Sequence, residues 1–159
     1  MIQRIQTVYL FLLFAIGLIL IWQDPVYAWF DGVNQPSAYV LLFWNSYSGT
    51  PAGTEVIYVA DLMTIFVSVL SMCLGVVSIF LFKNRKLQMK TVLVVVLMCL
   101  LLLGVLFLRY YLLMRSHPEL VGHLGFPLVW PVVMAASAFM AYKSIKADEE
   151  MVRGMDRIR

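Results

Sequence analysis

Residues 58–82 read YVADLMTIFVSVLSMCLGVVSIFLF, and residues 83–90 directly after them read KNRKLQMK. A bilayer core of ~30 Å needs ~20 apolar residues in a helix rising ~1.5 Å per residue. The first stretch is long enough to cross, and its only charge, Asp61, lies near one end. The second stretch is strongly basic, the composition that flanks a span rather than enters it. Three more apolar runs lie outward from this pair, at 8–22, 92–108 and 126–142. They reach spanning length with modestly polar flanks. The pattern predicts an all-α membrane protein: a four-transmembrane-helix bundle with spans at about 5–23, 58–82, 91–114 and 124–142. Residues 1–159 then form one membrane domain.

Composition agrees. Of 159 residues, 62% are hydrophobic and 13% charged, whereas soluble domains carry about a quarter charged. The pI near 9.0 does not point to nucleic acid, because the basic residues form no broad patch. Arg4 precedes the first run. Lys83, Arg85, Lys86 and Lys90 lie between the second and third, and Lys143, Lys146, Arg153, Arg157 and Arg159 follow the fourth. The segment 23–57 has no Lys or Arg, and the gap after the third run has only Arg109 and Arg115. The positive-inside rule therefore puts both termini, the 83–90 loop and the 143–159 tail in the cytoplasm. Cleavage of the first run as a signal peptide, after Val26-Tyr27-Ala28, is the competing reading. Gln23-Asp24-Pro25 and the interfacial Trp22 favour an uncleaved span.

The outer segment 24–57 is rich in aromatic residues, among them Tyr27, Trp29, Phe30, Tyr39, Phe43 and Trp44. Residues 38–44 and 55–59 are β-prone, and Asn45, Ser46, Ser48, Gly49, Pro51 and Gly53 between them read as turns. This predicts a small aromatic extracytoplasmic loop or hairpin between helices 1 and 2. In the second span, Ser68, Ser71, Gly75 and Ser78 share one helical face, a close-packing seam whose hydroxyls can bond across the contact. The third span has only Gly104 as a small residue and reads as more lipid-facing. In the fourth, Pro131 lies where it would kink the helix. Ala135, Ala136, Ser137, Ala138 and Ala141 then offer a second packing surface. Arg153, Met155, Arg157 and Arg159 make the tail a candidate docking segment for a cytoplasmic partner, or a helix lying on the membrane.

The opening Met1-Ile2-Gln3-Arg4-Ile5-Gln6-Thr7 leads into Tyr9-Leu10. The close runs from Ile145-Lys146-Ala147-Asp148-Glu149-Glu150-Met151-Val152-Arg153 to Met155-Asp156-Arg157-Ile158-Arg159. Together with the four-run layout, these ends resemble a bacterial four-span integral membrane family catalogued only as a domain of unknown function. The resemblance implies a bacterial inner-membrane location and supplies no activity, cofactor or catalytic residue.

Candidate chemistry is sparse. Counting helix rise, Asp61 lies about 33 Å from Lys83 and Arg109 about 27 Å from Thr91, so both fall near the outer interface. A structural Asp61–Arg109 ion pair is favoured over a proton or ion relay, since charges at the boundary reach water. His117, Glu119 and His123 have no helical ligand spacing for zinc. Ser116 beside His117 is no nucleophile–base arrangement. Cys73 and Cys99 lie inside apolar runs and read as small hydrophobes. No catalytic, metal or cofactor-binding set is identified, and an enzyme is disfavoured. The expected partners are the lipid bilayer, a membrane or cytoplasmic protein, or further copies of the chain. Two functions lead: a non-enzymatic subunit or scaffold of a membrane complex, and a small oligomeric transporter or channel using the polar face of helix 2 with Asp61 and Arg109. A lipid-acting enzyme using the outer-face His and carboxylates ranks last, because no convergent set is evident.

Overall fold

The computed structural model describes residues 3–32, 35–49 and 56–156. Among them, four helices are long and apolar enough to cross a membrane: α1 (Gln3–Gln23), α2 (Leu62–Phe80), α3 (Arg85–Ser116) and α4 (Trp130–Asp156). Each packs against its sequence neighbours, and α4 closes the ring by packing on α1. Short links between antiparallel helices favour this up-and-down arrangement. Both ends of the described chain and the α2–α3 link therefore lie at one end of the bundle. Only 28% to 39% of each apolar window is buried. Phe66, Leu97, Leu108 and Phe139 are among the large apolar side chains that point outward, as a lipid-facing perimeter requires.

The core is a set of inward stripes. α1 supplies Leu10, Leu13, Ile16 and Leu20, and α3 supplies Val92, Val95, Cys99, Leu102 and Leu106. The three- and four-residue steps keep each set on one face. The third span is thus lipid-facing around most of its girth, yet carries a full core stripe. Gly104 meets nothing within 4 Å and is no packing residue. α4 turns Met134, Ala135, Ala138 and Ala141 inward, while Ala136 faces out.

Pro131 does not kink a helix interior. A 3-10 turn, Phe126–Val129, takes up Pro127, and α4 starts at Trp130. Pro131 therefore sits in the first turn, where a missing N–H costs little. At the other end α4 runs unbroken to Asp156. Ile145 and Asp148 are buried there, so the start of the expected tail belongs to the bundle.

The opposite end is capped by a five-stranded antiparallel sheet in the order β4-β3-β2-β1-β5. Its strands are β1 (Val26–Gly32), β2 (Gln35–Leu42), β3 (Asn45–Gly49), β4 (Val56–Ala60) and β5 (Val121–Leu124). The expected hairpin is part of this larger sheet. Asn45 to Gly49, read as turn, is a strand paired to β2 and β4 on both sides. Tyr58, expected at the start of the second span, pairs with Tyr47, and α2 begins at Leu62. β5 comes from the α3–α4 link and pairs with β1, setting Trp29 against His123. Tyr27, Phe30 and Phe43 are fully buried beneath the sheet. The Tyr27 and Phe43 rings meet edge-on at 6.2 Å, and Phe30 lies 5.1 Å from Tyr110 of α3.

Candidate functional site

One cluster of polar side chains lies where the sheet meets the bundle. α1 ends at Gln23, and Asp24 follows with φ 38. Asp tolerates this left-handed conformation better than most residues. Its N–H donates to the Leu20 carbonyl at 3.0 Å, closing the helix. Its carboxylate then accepts from the Trp44 N–H at 2.7 Å and from the Asn45 amide at 2.5 Å. The Trp44 indole donates to the Leu20 carbonyl at 3.1 Å, and the Trp44 carbonyl accepts from the Asp61 N–H at 2.8 Å. The β2–β3 bend is thus fastened both to the end of α1 and to the start of α2.

Asp61 caps α2. Its carboxylate accepts from the Met63 N–H at 3.2 Å and from the Thr64 hydroxyl. Arg109 reaches it from α3, with Nε 2.9 Å from Oδ2 and only 15% and 20% of the two side chains exposed. The same guanidinium donates to the carbonyls of Leu42 and Phe43 at 3.3 Å and of Asn45 at 3.2 Å. It also lies over the Tyr27 ring, 5.7 Å from its centroid. Burial pushes the Tyr27 phenol up to about 12; Arg109 opposes the shift and Asp61 adds to it. The arrangement neutralises one carboxylate, satisfies three bend carbonyls and ties α2, α3 and the sheet together. With four N–H contacts committed within the protein, the guanidinium acts here as a clamp.

Below this junction lies the small-residue face of α2. Ser68, Ser71, Gly75 and Ser78 are all buried. The hydroxyls do not reach across the seam. They donate to carbonyls of their own helix, Ser68 to Thr64, Ser71 to Ser68 and Ser78 to Leu74, at 2.7–2.8 Å. This back-bonding removes the polar groups from the interface and leaves close contact as its basis. A Cβ added at Gly75 would stand 3.1 Å from Leu13 Cδ2, so α1 and α2 approach closely there.

Each histidine stacks on an aromatic ring of the sheet. His117 stacks on Tyr39 at 4.9 Å and His123 on Trp29 at 5.6 Å, with His123 Nε2 3.5 Å from Asp31. Among the described residues no three His, Cys, Asp or Glu side chains gather as a metal site. Cys73 faces outward and Cys99 is buried. Of the docking-tail residues, Arg153 and Met155 lie on α4, but their side chains are outside the described residues, as are Arg157 and Arg159.

Sequence reasoning assigns no contact to Trp44, Asp24, Gln6 or Asp148. Gln6 donates to Asp148 in a buried contact joining α1 to α4. Its signal was a polar residue on the core face of an apolar helix. The Asp24-Pro25 pair was a legible helix stop, but nothing local marked Trp44 as its partner.

A family model described as a domain of unknown function (DUF4293) matches residues 2–158. The chain belongs to that family. No curated protein matches it. The DUF4293 assignment covers the four spans and the sheet alike and assigns no activity to the Asp61–Arg109 junction.

Proposed function

We propose that this protein is a non-enzymatic subunit or scaffold of a membrane complex. It would reside in the bacterial inner membrane with both termini cytoplasmic. The carrying observation is the Asp61–Arg109 junction, whose polar groups are spent on one another, on Thr64 and on the β2–β3 bend. Such a junction fixes three elements in place and leaves little unspent chemistry. The back-bonded serines of α2 support the same reading and lend little to a transport path through a single chain. Orientation rests on the basic residues. Arg85, Lys86, Lys90, Lys143 and Lys146 lie at the end holding the termini, and Arg109 and Arg115 lie towards the sheet. An excess of Lys and Arg marks the cytoplasmic face.

Partners would dock on outward helix faces and on the distal part of the α4 tail. The test is in-cell crosslinking followed by purification from the native membrane. Full-length protein is compared with a chain ending at Val152, which keeps Ile145 and Asp148 in the bundle. The expected result is a specific protein recovered with the full chain and lost with the shortened one. Recovery of self-crosslinked species alone, in both forms, would overturn the docking-subunit reading and send the oligomer to a liposome flux assay.

A further inference from the structure

At the end of the bundle that holds the termini, a cavity of ≈ 320 Å³ opens between the ends of α1, α2, α3 and α4 at the α2–α3 link. That volume lies within the range of small-molecule sites. Ile79, Phe80 and Phe82 form an apolar wall, and Gln6, Thr7, Gln88 and Arg85 form the polar part. Both glutamine amides already donate within the protein, Gln6 to Asp148 and Gln88 to the Ser78 carbonyl at 3.0 Å. Arg85 is half-buried and, among the described residues, is the one charged side chain in the lining. It makes no hydrogen bond or ion pair with any other described residue.

Arg85 is also the first residue of α3, so its guanidinium stands at headgroup depth beside side chains that continue into the hydrocarbon. A planar guanidinium grips phosphate oxygens through two N–H groups at once. An apolar wall directly below suits the first part of an acyl chain. Asp148 does not oppose this, since its buried carboxylate is engaged by Gln6 and takes no part in the lining. Among the described lining residues there is no carboxylate to receive a choline or ethanolamine cation, and the exposed Lys86 and Lys90 lie nearby on α3. Basic pockets between membrane helices take anionic headgroups for these reasons.

From this geometry we infer that the cavity is a binding site for the phosphodiester headgroup of an anionic phospholipid, held by Arg85 with its acyl chain along Ile79, Phe80 and Phe82. The site does not depend on the scaffold reading.

The test uses the full chain, stripped of lipid in detergent and titrated while bound lipid is counted by native mass spectrometry. The probes are phosphatidylglycerol, phosphatidylcholine and sodium phosphate. Phosphatidylglycerol is expected to bind about tenfold more tightly than phosphatidylcholine, and Arg85→Gln to weaken it about tenfold, a loss of ~1.4 kcal/mol. Lys86→Gln, an exposed charge outside the lining, should leave it within about twofold. Arg85→Lys keeps the charge but not the fork and should fall between wild type and Arg85→Gln, which preserves the test if Arg85→Gln folds poorly. Equal binding of the two lipids, or equal weakening by Arg85→Gln and Lys86→Gln, would overturn the site in favour of diffuse attraction. Displacement of lipid by millimolar sodium phosphate would overturn the lipid assignment and make the site one for soluble phosphate.

Discussion

Arg109 Nε sits 2.9 Å from Asp61 Oδ2, across the gap between α3 and the first residue before α2. Neither group stands alone. Asp61 also anchors the α2 N-terminus through Met63 and Thr64, and Arg109 also holds three carbonyls of the β2–β3 bend. Removing either side chain therefore loosens more than one contact, and the two removals differ.

Arg109→Met is expected to destabilise the fold by about 3 kcal/mol, since it strands a mostly buried carboxylate and three carbonyls. Asp61→Asn keeps an acceptor for the α2 cap and should cost less, about 1–2 kcal/mol. Thermal unfolding of the purified variants in detergent gives the ranking. An Asp61→Asn protein as stable as wild type would remove the energetic case for the clamp.

The junction also marks where sequence reading reaches its limit. Counting helix rise brings Asp61 and Arg109 to similar depth, because rise per residue is nearly constant. It cannot reveal that Arg109 also serves carbonyls of Leu42, Phe43 and Asn45, since those contacts span more than sixty positions. The four spans are legible because hydrocarbon demands long, internally bonded apolar helices. The sheet is only half legible. The residues 38–44 carry β-prone side chains, but Asn45-Ser46-Tyr47-Ser48-Gly49 has the composition of a turn and becomes a strand through partners on both sides. β5, Val121–Leu124, is four residues long and contains a glycine, and its partner β1 lies before the second span, far away in the chain. Non-local pairing of this kind has no periodic trace in the sequence.

Two glycines should respond oppositely to the same methyl group. A Cβ at Gly122 would fall 2.8 Å from Phe30 Cε1 and 3.0 Å from Tyr110 Cζ, both parts of rigid rings. Gly122→Ala is expected to cost about 1–3 kcal/mol through overpacking. Gly104 lies on an exposed face of α3 with nothing within 4 Å. Gly104→Ala should be neutral or stabilising by up to about 1 kcal/mol, because Ala favours the helix. Paired melting curves decide this, and a destabilised Gly104→Ala would show that the face is covered by something other than lipid.

The two cysteines should differ in access. Cys73 faces outward from α2, and Cys99 is fully buried in the α3 core stripe. In detergent, a small maleimide is expected to label Cys73 at least about tenfold faster than Cys99, whose labelling should wait for unfolding. Mass spectrometry of peptides from a time course reads both rates. Comparable rates in the folded protein would mean that the bundle opens far more readily than its packing implies.

Tyr27 provides a pH test of the sheet–bundle contact. Burial raises its phenol from 10.0 to about 12, with Arg109 opposing and Asp61 reinforcing the shift. The folded state then holds a proton that the unfolded chain has already released. Stability from this group is complete below about pH 10 and is lost as pH rises towards about 12. The full loss is ~3 kcal/mol at ~1.4 kcal/mol for each pH unit between the two values. Lysines and other tyrosines titrate in the same window, so the measurement is a difference: the unfolding free energy of wild type and of Tyr27→Phe from pH 9 to 12. The variant has no phenol to ionise at this position and should lose less stability across that range. Parallel curves would mean that Tyr27 is already solvated in the folded protein, and that the sheet does not seal the top of the bundle.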